Sequence, residues 1–294
     1  MRDGPRPLPT GLRPLLPPPA ALHTHAPRPR PPPAAVIEFE PRADGSTTAT
    51  LLKLNQSPEP PLKAEAVEPG SRPSRASLVL LRHASTEGNE RGLVMGQLPS
   101  ACSATGEAQI ERNRGMLEGR GIAAALHCPT PQCAGTARGV VGGSGAAVAS
   151  ADSLRGRALG CWEGQGWAQV SQASMDGEAL PEDMESMVEF WPRVEEAWED
   201  LRCAAGEGGG RRVMAVTHSS VITGLVAKAL GLAPADAQKF RVDTGSVTLV
   251  EFPDGIDAAP VVRCVNYTAH LGEHWEVPVY GDDVDGVCGI DGCF

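Results

Sequence analysis

The sequence predicts an α/β protein, a three-layer αβα sandwich with a sheet between two layers of helix, on three observations. Ser77-Leu-Val-Leu-Leu81 is a short apolar run that ends in Arg82-His83 and passes into polar, glycine-containing sequence, as a buried strand does where it meets a loop. The same grammar returns at Arg212-Val-Met-Ala-Val-Thr217, which ends in His218 and leads into a helix with Val221, Ile222, Leu225, Val226, Ala229 and Leu230 on one face. Gly231 stops that helix and Pro234 follows. Between the two strands, Met184, Met187, Trp191, Val194, Trp198 and Leu201 recur at three- and four-residue steps, the spacing of an amphipathic helix of about 20 residues. Strands alternating with helices give a sheet covered on both faces.

From the N-terminus, residues 1–35 hold 12 of the 27 prolines, five arginines, one aspartate and no lysine. They cannot build a core and are expected to be extended and disordered. A transit peptide and sequence foreign to the gene product are both open readings of them. Val36-Ile-Glu-Phe39, an Asp44-Gly45 turn and Leu51-Leu-Lys-Leu-Asn55 echo Leu249-Val-Glu-Phe252, Asp254-Gly255 and Val261-Val-Arg-Cys-Val-Asn266. Residues 36–62 are therefore expected to be the last hairpin of a preceding, similar domain; the alternative is that any two hairpins with a glycine turn look alike. Residues 63–75 follow as a linker, 76–275 as the main domain, and 276–294 as a mobile acidic tail.

Charge narrows the partners. The chain carries a net charge of -10, and the Pro-rich segment contributes about +4, so the rest holds about -14 and repels nucleic acid and anionic membranes. No apolar run approaches the roughly 18 residues of a membrane span. Eight scattered cysteines fit a reducing compartment better than a disulfide framework. Cys128/Cys133 and Cys288/Cys293 each have four residues between them, but no second pair lies near either in sequence, so no metal site and no cofactor are expected.

The residues that carry chemistry are Arg82 and His83 at a strand end, with Thr86 and Asn89 following, and His218 at the end of a second strand. A neutral imidazole can attack phosphorus while a guanidinium beside it binds two phosphate oxygens in a fork. Asn89, on the turn into the next helix, adds a donor where backbone N–H groups also favour an anion. This arrangement resembles the phosphate-binding signature of the histidine phosphatase superfamily, which includes the phosphoglycerate mutases. The likeness extends through Gly96-Gln-Leu98, Thr105-Gly-Glu-Ala-Gln109, Leu159-Gly-Cys-Trp-Glu-Gly164, Asn266 and His270-Leu271, about 200 residues. It implies a phosphoglycerate mutase-like fold, a phosphohistidine on His83, stabilisation of the transferring group by Arg82, Asn89 and His218, and a small phosphorylated substrate. The hairpin, Pro-rich linker and following domain also resemble the tandem plant and algal 2-carboxy-D-arabinitol 1-phosphatase family. That likeness implies a sugar-acid phosphate substrate, a chloroplast location and association with a tandem phosphatase domain.

The departures from the pattern bear on catalysis. Ala84 and Ser219 stand where glycines usually follow the two histidines, and Gln132 stands where the family has a second phosphate-clamping arginine. Gln132 is expected to offer phosphate a hydrogen bond without charge. Gly156 aligns with the family's glutamate general acid, and a glycine donates no proton. Glu87, Glu163 and Asp152 are the other carboxylates near these segments, and structural or solvated roles are expected for them. Phosphomonoester hydrolysis is thus the expected function. The alternative is a degenerate domain that binds ligand, or supports a partner, without turnover. Gly156→Glu is expected to restore reaction with poor leaving groups, and Gln132→Arg to help any substrate.

Overall fold

The structure is a computed structural model, and it describes residues 36–41, 47–53, 76–175, 179–207 and 210–274. The Pro-rich segment, the Asp44-Gly45 turn, residues 54–62, the linker at 63–75 and the tail at 276–294 lie outside the described residues. Strands β1 (Val36–Pro41) and β2 (Thr47–Lys53) pair antiparallel as a two-stranded sheet of their own. The remaining strands form one six-stranded sheet.

That sheet grows from its most apolar sequence. In β3 (Ser77–Arg82) the side chains of Leu78 through Leu81 have no solvent exposure, and β6 (Arg212–Thr217) is buried along its whole length. β3 and β6 lie side by side in parallel, with Leu80 opposite Ala215 and Arg82 opposite Thr217. β4 (Ile122–His127) pairs parallel to β6 on its other side, and β5 (Ala147–Ser150) pairs parallel to β4. β7 (Val247–Glu251) and β8 (Val261–Tyr267) complete the other edge antiparallel, giving the order β5-β4-β6-β3-β7-β8. Truncation in the centre of this core should be costly. Leu80→Ala is expected to lower the unfolding free energy by about 2–5 kcal/mol, measured by urea denaturation.

Helices cover both faces, so the fold is the expected α/β sandwich. α1 (Glu87–Glu90) is a single turn after β3; α2 (Ala104–Leu117) packs on α3 (Pro131–Val141), and α5 (Met187–Gly206) packs on α6 (Ser219–Ala229). α4 (Trp167–Met175) belongs to a smaller cluster with Val94, Leu159, Trp162 and Met184. The helix expected from residue 184 starts at Met187, because Ser186 caps it and shares a reciprocal capping box with Glu189. Its inward face runs through Phe190, Val194, Ala197, Trp198, Leu201 and Ala205; Trp191 is only partly buried and Met184 packs in the smaller cluster. No helix among the described residues is long and apolar enough to cross a membrane.

Candidate active site

The carboxyl ends of β3, β4 and β6 deliver three histidines to one edge of the sheet. His83 follows β3 and is tied to β6 by its backbone N–H, which donates to the Thr217 carbonyl at 3.0 Å. His218 follows β6 and opens α6 as its N-cap residue. The two rings face each other edge to face, with centroids 5.0 Å apart and planes inclined at 68°. Both side chains are buried. His127 ends β4 and turns its Nδ1 to the Cys128 carbonyl at 2.8 Å.

The tautomer of His83 follows from its partner. Nδ1 lies 2.8 Å from the Ala84 carbonyl oxygen, which can only accept, so Nδ1 carries the proton and Nε2 keeps its lone pair. Burial, then His218 and the Arg82 guanidinium, hold the His83 imidazole well below the usual histidine range, so the ring stays neutral near pH 7. A neutral imidazole with a free Nε2 has the form a nucleophile needs.

The loop after His83 is fixed by side chains that sequence reasoning gave no role. Ala84 N–H donates to Thr136 Oγ1 at 3.0 Å, and Ser85 N–H donates to Gln109 Oε1 at 2.8 Å. The other end of the Gln109 amide reaches Thr244 Oγ1 at 3.3 Å, while Asn113 Nδ2 donates to the Gly245 carbonyl at 2.9 Å. Gly245 N–H donates in turn to the carbonyls of Arg82 and His83, each at 3.2 Å. Arg82 extends Nη1 to the Val242 carbonyl at 2.6 Å. The 242–245 segment is itself seated by a buried pair: Asn266, at φ 54°, donates from Nδ2 to Asp243 Oδ2 at 2.9 Å and accepts the Asp243 N–H at 2.7 Å. Asn tolerates this left-handed conformation better than most residues.

Asn89 makes a reciprocal cap with Thr86. Its Oδ1 accepts from the Thr86 N–H and hydroxyl at 3.2 and 2.8 Å, and its own N–H donates to Thr86 Oγ1 at 3.2 Å. The carbonyl end of the side chain is thereby taken, and the Nδ2 end is the donor left for an anion. Gln132 is placed differently from the expectation. Its Nε2 donates to the Leu98 carbonyl at 3.0 Å and its Oε1 accepts the Ser100 N–H at 3.3 Å, so both ends of the amide hold the 98–100 loop.

Gly156 lies against His218. A Cβ at this position would come within 2.9 Å of His218 Cγ and 3.1 Å of the Gly96 carbonyl oxygen. The position aligned with the acid is thus beside the second histidine in space, and it has no room for a side chain unless that ring moves. Arg193 pins the surrounding loop: it bonds the Arg155 carbonyl and reaches Glu185 at 2.5 and 2.6 Å. Two of the three other candidate carboxylates are engaged elsewhere. Glu163 Oε1 accepts the N–H groups of Gln97 and Leu159, both at 3.0 Å, and packs so closely under Gly96 that a Cβ there would overlap it. Asp152 pairs with Arg155 at the surface, and Glu87 is exposed in the first turn of α1.

Cys128 and Cys133 also face His218. Nε2 is 3.3 Å from Cys128 Sγ and 3.6 Å from Cys133 Sγ, with Thr130 Oγ1 at 3.5 Å. The hydrogen bond from the Cys133 thiol holds the Cys128 thiol below its usual range, whereas burial pushes Cys133 up. The sequence showed the cysteine pair but not its third neighbour.

With this geometry in place, the chain can be assigned. It belongs to the histidine phosphatase superfamily, branch 1, whose pattern matches residues 78–267. Relatives include 2-carboxy-D-arabinitol-1-phosphatase of Triticum aestivum, 26% identical over 264 residues, covering 84% of this chain and 52% of the wheat protein. The chain thus spans about half the length of these curated relatives. Solved structures with the same fold include YhfR of Bacillus stearothermophilus, with TM-score 0.59 and 24% identity over 67% of this chain and 99% of that one. Alpha-ribazole phosphatase of Shigella flexneri has TM-score 0.57 and 24% identity over 65% and 96%. The phosphoglycerate mutase of Bacillus anthracis, at TM-score 0.57 and 19% identity over 68% and 97%, shares the fold as well.

Buried histidines link stability to pH. His270 stacks on Tyr267 at 5.4 Å and bonds Asn113 Oδ1 at 3.1 Å, and burial lowers its pKa from 6.5 to about 4. Above pH 6.5 it is neutral in both folded and unfolded chains and contributes no pH dependence. As pH falls below 6.5, the unfolded chain takes up a proton that the folded chain refuses, so stability is lost down to about pH 4; His83 acts in the same direction. Urea midpoints are expected to fall steadily across this window, with His270 accounting for about 3 kcal/mol, and His270→Gln should flatten the slope.

Proposed function

We propose that this chain hydrolyses a small phosphomonoester, a sugar or sugar-acid phosphate, by transferring the phosphoryl group to His83 Nε2 and then to water. The observation that carries the reading is the His83–His218 pair: one buried neutral ring with its lone pair on Nε2, and a second ring 5.0 Å away. Arg82 and the N-termini of α3 and α6 supply positive potential where the oxygens of the transferring group would lie. The sugar-acid class is supported by the wheat and Arabidopsis thaliana relatives, the latter named a probable 2-carboxy-D-arabinitol-1-phosphatase. In the first step the phosphorus–oxygen bond to the alcohol breaks as the Nε2–phosphorus bond forms; water then returns the histidine and releases inorganic phosphate. Intact mass after brief mixing with nitrophenyl phosphate should show the increment of one phosphoryl group, absent in His83→Ala. An unphosphorylated chain at every mixing time would remove the covalent route.

A second reading, ligand binding without turnover, is favoured by one feature: Gly156 leaves no carboxyl group beside His218, and the nearby Glu163 is engaged in backbone hydrogen bonds. Phosphate binding, seen as a thermal shift with inorganic phosphate, combined with no phosphohistidine and no turnover would select it.

A further inference from the structure

Two cysteines and a histidine brought in from a distant part of the sequence converge on one point beside the His83–His218 pair. Cys128 leaves β4 with its N–H bonded to the Val216 carbonyl at 3.0 Å, which holds it beside the end of β6. Thr130 is the residue before α3, Cys133 lies in the first turn of that helix, and His218 follows β6. The two Sγ atoms and a ring nitrogen of His218 all lie within 4.8 Å of one another, and all three residues are buried. Packing alone asks less than this: a buried cysteine serves as a small apolar residue and has no need of a second thiol, a ring nitrogen and a hydroxyl around it.

The two nitrogen–sulfur distances, which a hydrogen bond also spans, are those a coordinated ion would leave between its ligands. Zinc–sulfur bonds of ~2.3 Å and zinc–nitrogen bonds of ~2.0–2.1 Å in a tetrahedron put sulfur and nitrogen about 3.5 Å apart. The observed separations are 3.3 and 3.6 Å. Thr130 Oγ1 borders the same space, 3.4 Å from Cys128 Sγ and 3.5 Å from His218 Nε2. We propose that Cys128, Cys133 and His218 bind one zinc ion, and that zinc and substrate phosphate compete for His218. Both sulfurs bind as thiolates, each releasing to solvent any thiol proton it still carries, and the imidazole binds through a neutral ring nitrogen. Two thiolates balance the charge of the dication, so the buried complex needs no counter-ion. A solvent oxygen or the Thr130 hydroxyl completes the tetrahedron. Nε2 then has its lone pair on the metal and no proton to offer a phosphoryl oxygen.

Binding stands independently of the proposed phosphatase activity; competition rests on it. The test uses the full chain, reduced and stripped of metal, titrated with cobalt(II) as a coloured stand-in for zinc. One cobalt per chain should give a sulfur-to-metal charge-transfer band and intense tetrahedral absorption, both bleached by one equivalent of zinc. Cys128→Ser, Cys133→Ser and His218→Gln should each weaken binding by more than the roughly 10- to 100-fold expected of an outer-shell residue. The double variant Cys288→Ser/Cys293→Ser should keep the band. Should a serine variant fail to fold, slower alkylation of Cys128 and Cys133 in the natural chain with zinc than without it, read by peptide mass in urea just below the unfolding transition where the buried thiols open, takes its place. No charge-transfer band, a band that survives loss of both cysteines, or no shielding overturns the site. Turnover of nitrophenyl phosphate should fall in proportion to bound zinc; zinc bound without loss of turnover overturns the competition. A chain inert even without metal, but still binding cobalt through these residues, would refute the phosphatase reading and leave the metal site standing.

Discussion

His83→Ala is expected to abolish phosphoester turnover, lowering kcat/KM for nitrophenyl phosphate by about 10⁴- to 10⁶-fold, the scale on which enzymes lose activity with their nucleophile. Among the described histidines, His83 alone joins a free Nε2 to a position at the end of a central strand with an arginine beside it. His127 makes the same kind of Nδ1 bond, to the Cys128 carbonyl, but follows Leu126 rather than an arginine, and His270 is engaged with Asn113. His218→Gln should cost less, about 10²- to 10³-fold, because it removes one stabilising donor and leaves the attacking atom in place. Steady-state rates of the two variants check the ranking. Loss of equal size in both, with phosphohistidine still formed in His83→Ala, would move the nucleophile to His218.

A preference for good leaving groups is the second large effect. With no carboxyl group at residue 156, a sugar alkoxide must depart unprotonated or take its proton from water, a penalty of about 10² to 10⁴. A nitrophenolate needs no proton. The ratio of kcat values for nitrophenyl phosphate and a sugar phosphate should therefore exceed about 10². The structure revises the remedy. A Cβ at residue 156 lies 2.9 Å from the His218 ring, so Gly156→Glu is expected to displace the second histidine and lower turnover of both substrates. Gln132→Arg is expected to release the 98–100 loop, since the amide it removes bonds both Leu98 and Ser100. Equal rates on the two substrates in the natural chain would show that another acid serves the site.

Much of the scaffold was legible because its signals are local. β3, β6 and α6 are dense apolar runs with punctuation at their ends, and the histidines follow directly from where those runs stop. β4 and β5 carry no comparable signal: half of Ile122–His127 is alanine, and Ala147–Ser150 is exposed on the sheet edge. The start of α5 was displaced because Met184 keeps the helical spacing while Ser186 supplies the cap. Within the site, residues set by one strand end could be read, whereas those set by strand pairing could not. Cys133 meets His218 only because β4 and β6 run parallel in register, which no spacing within the chain records. The bonds that retire Gln132 depend on a loop whose path the sequence does not announce.

The left-handed turn at Asn266 gives the site a chronology. Asn266 seats Asp243, the Asp243 segment receives the guanidinium of Arg82, and Gly245 closes on the carbonyls of Arg82 and His83. On a ribosome, His83 is made early and waits through the synthesis of the five strands β4 to β8 before Arg82 has a fixed seat. A nascent chain halted early in β8 would carry both histidines yet lack Asn266, and with it the residue that seats the Asp243 segment under Arg82.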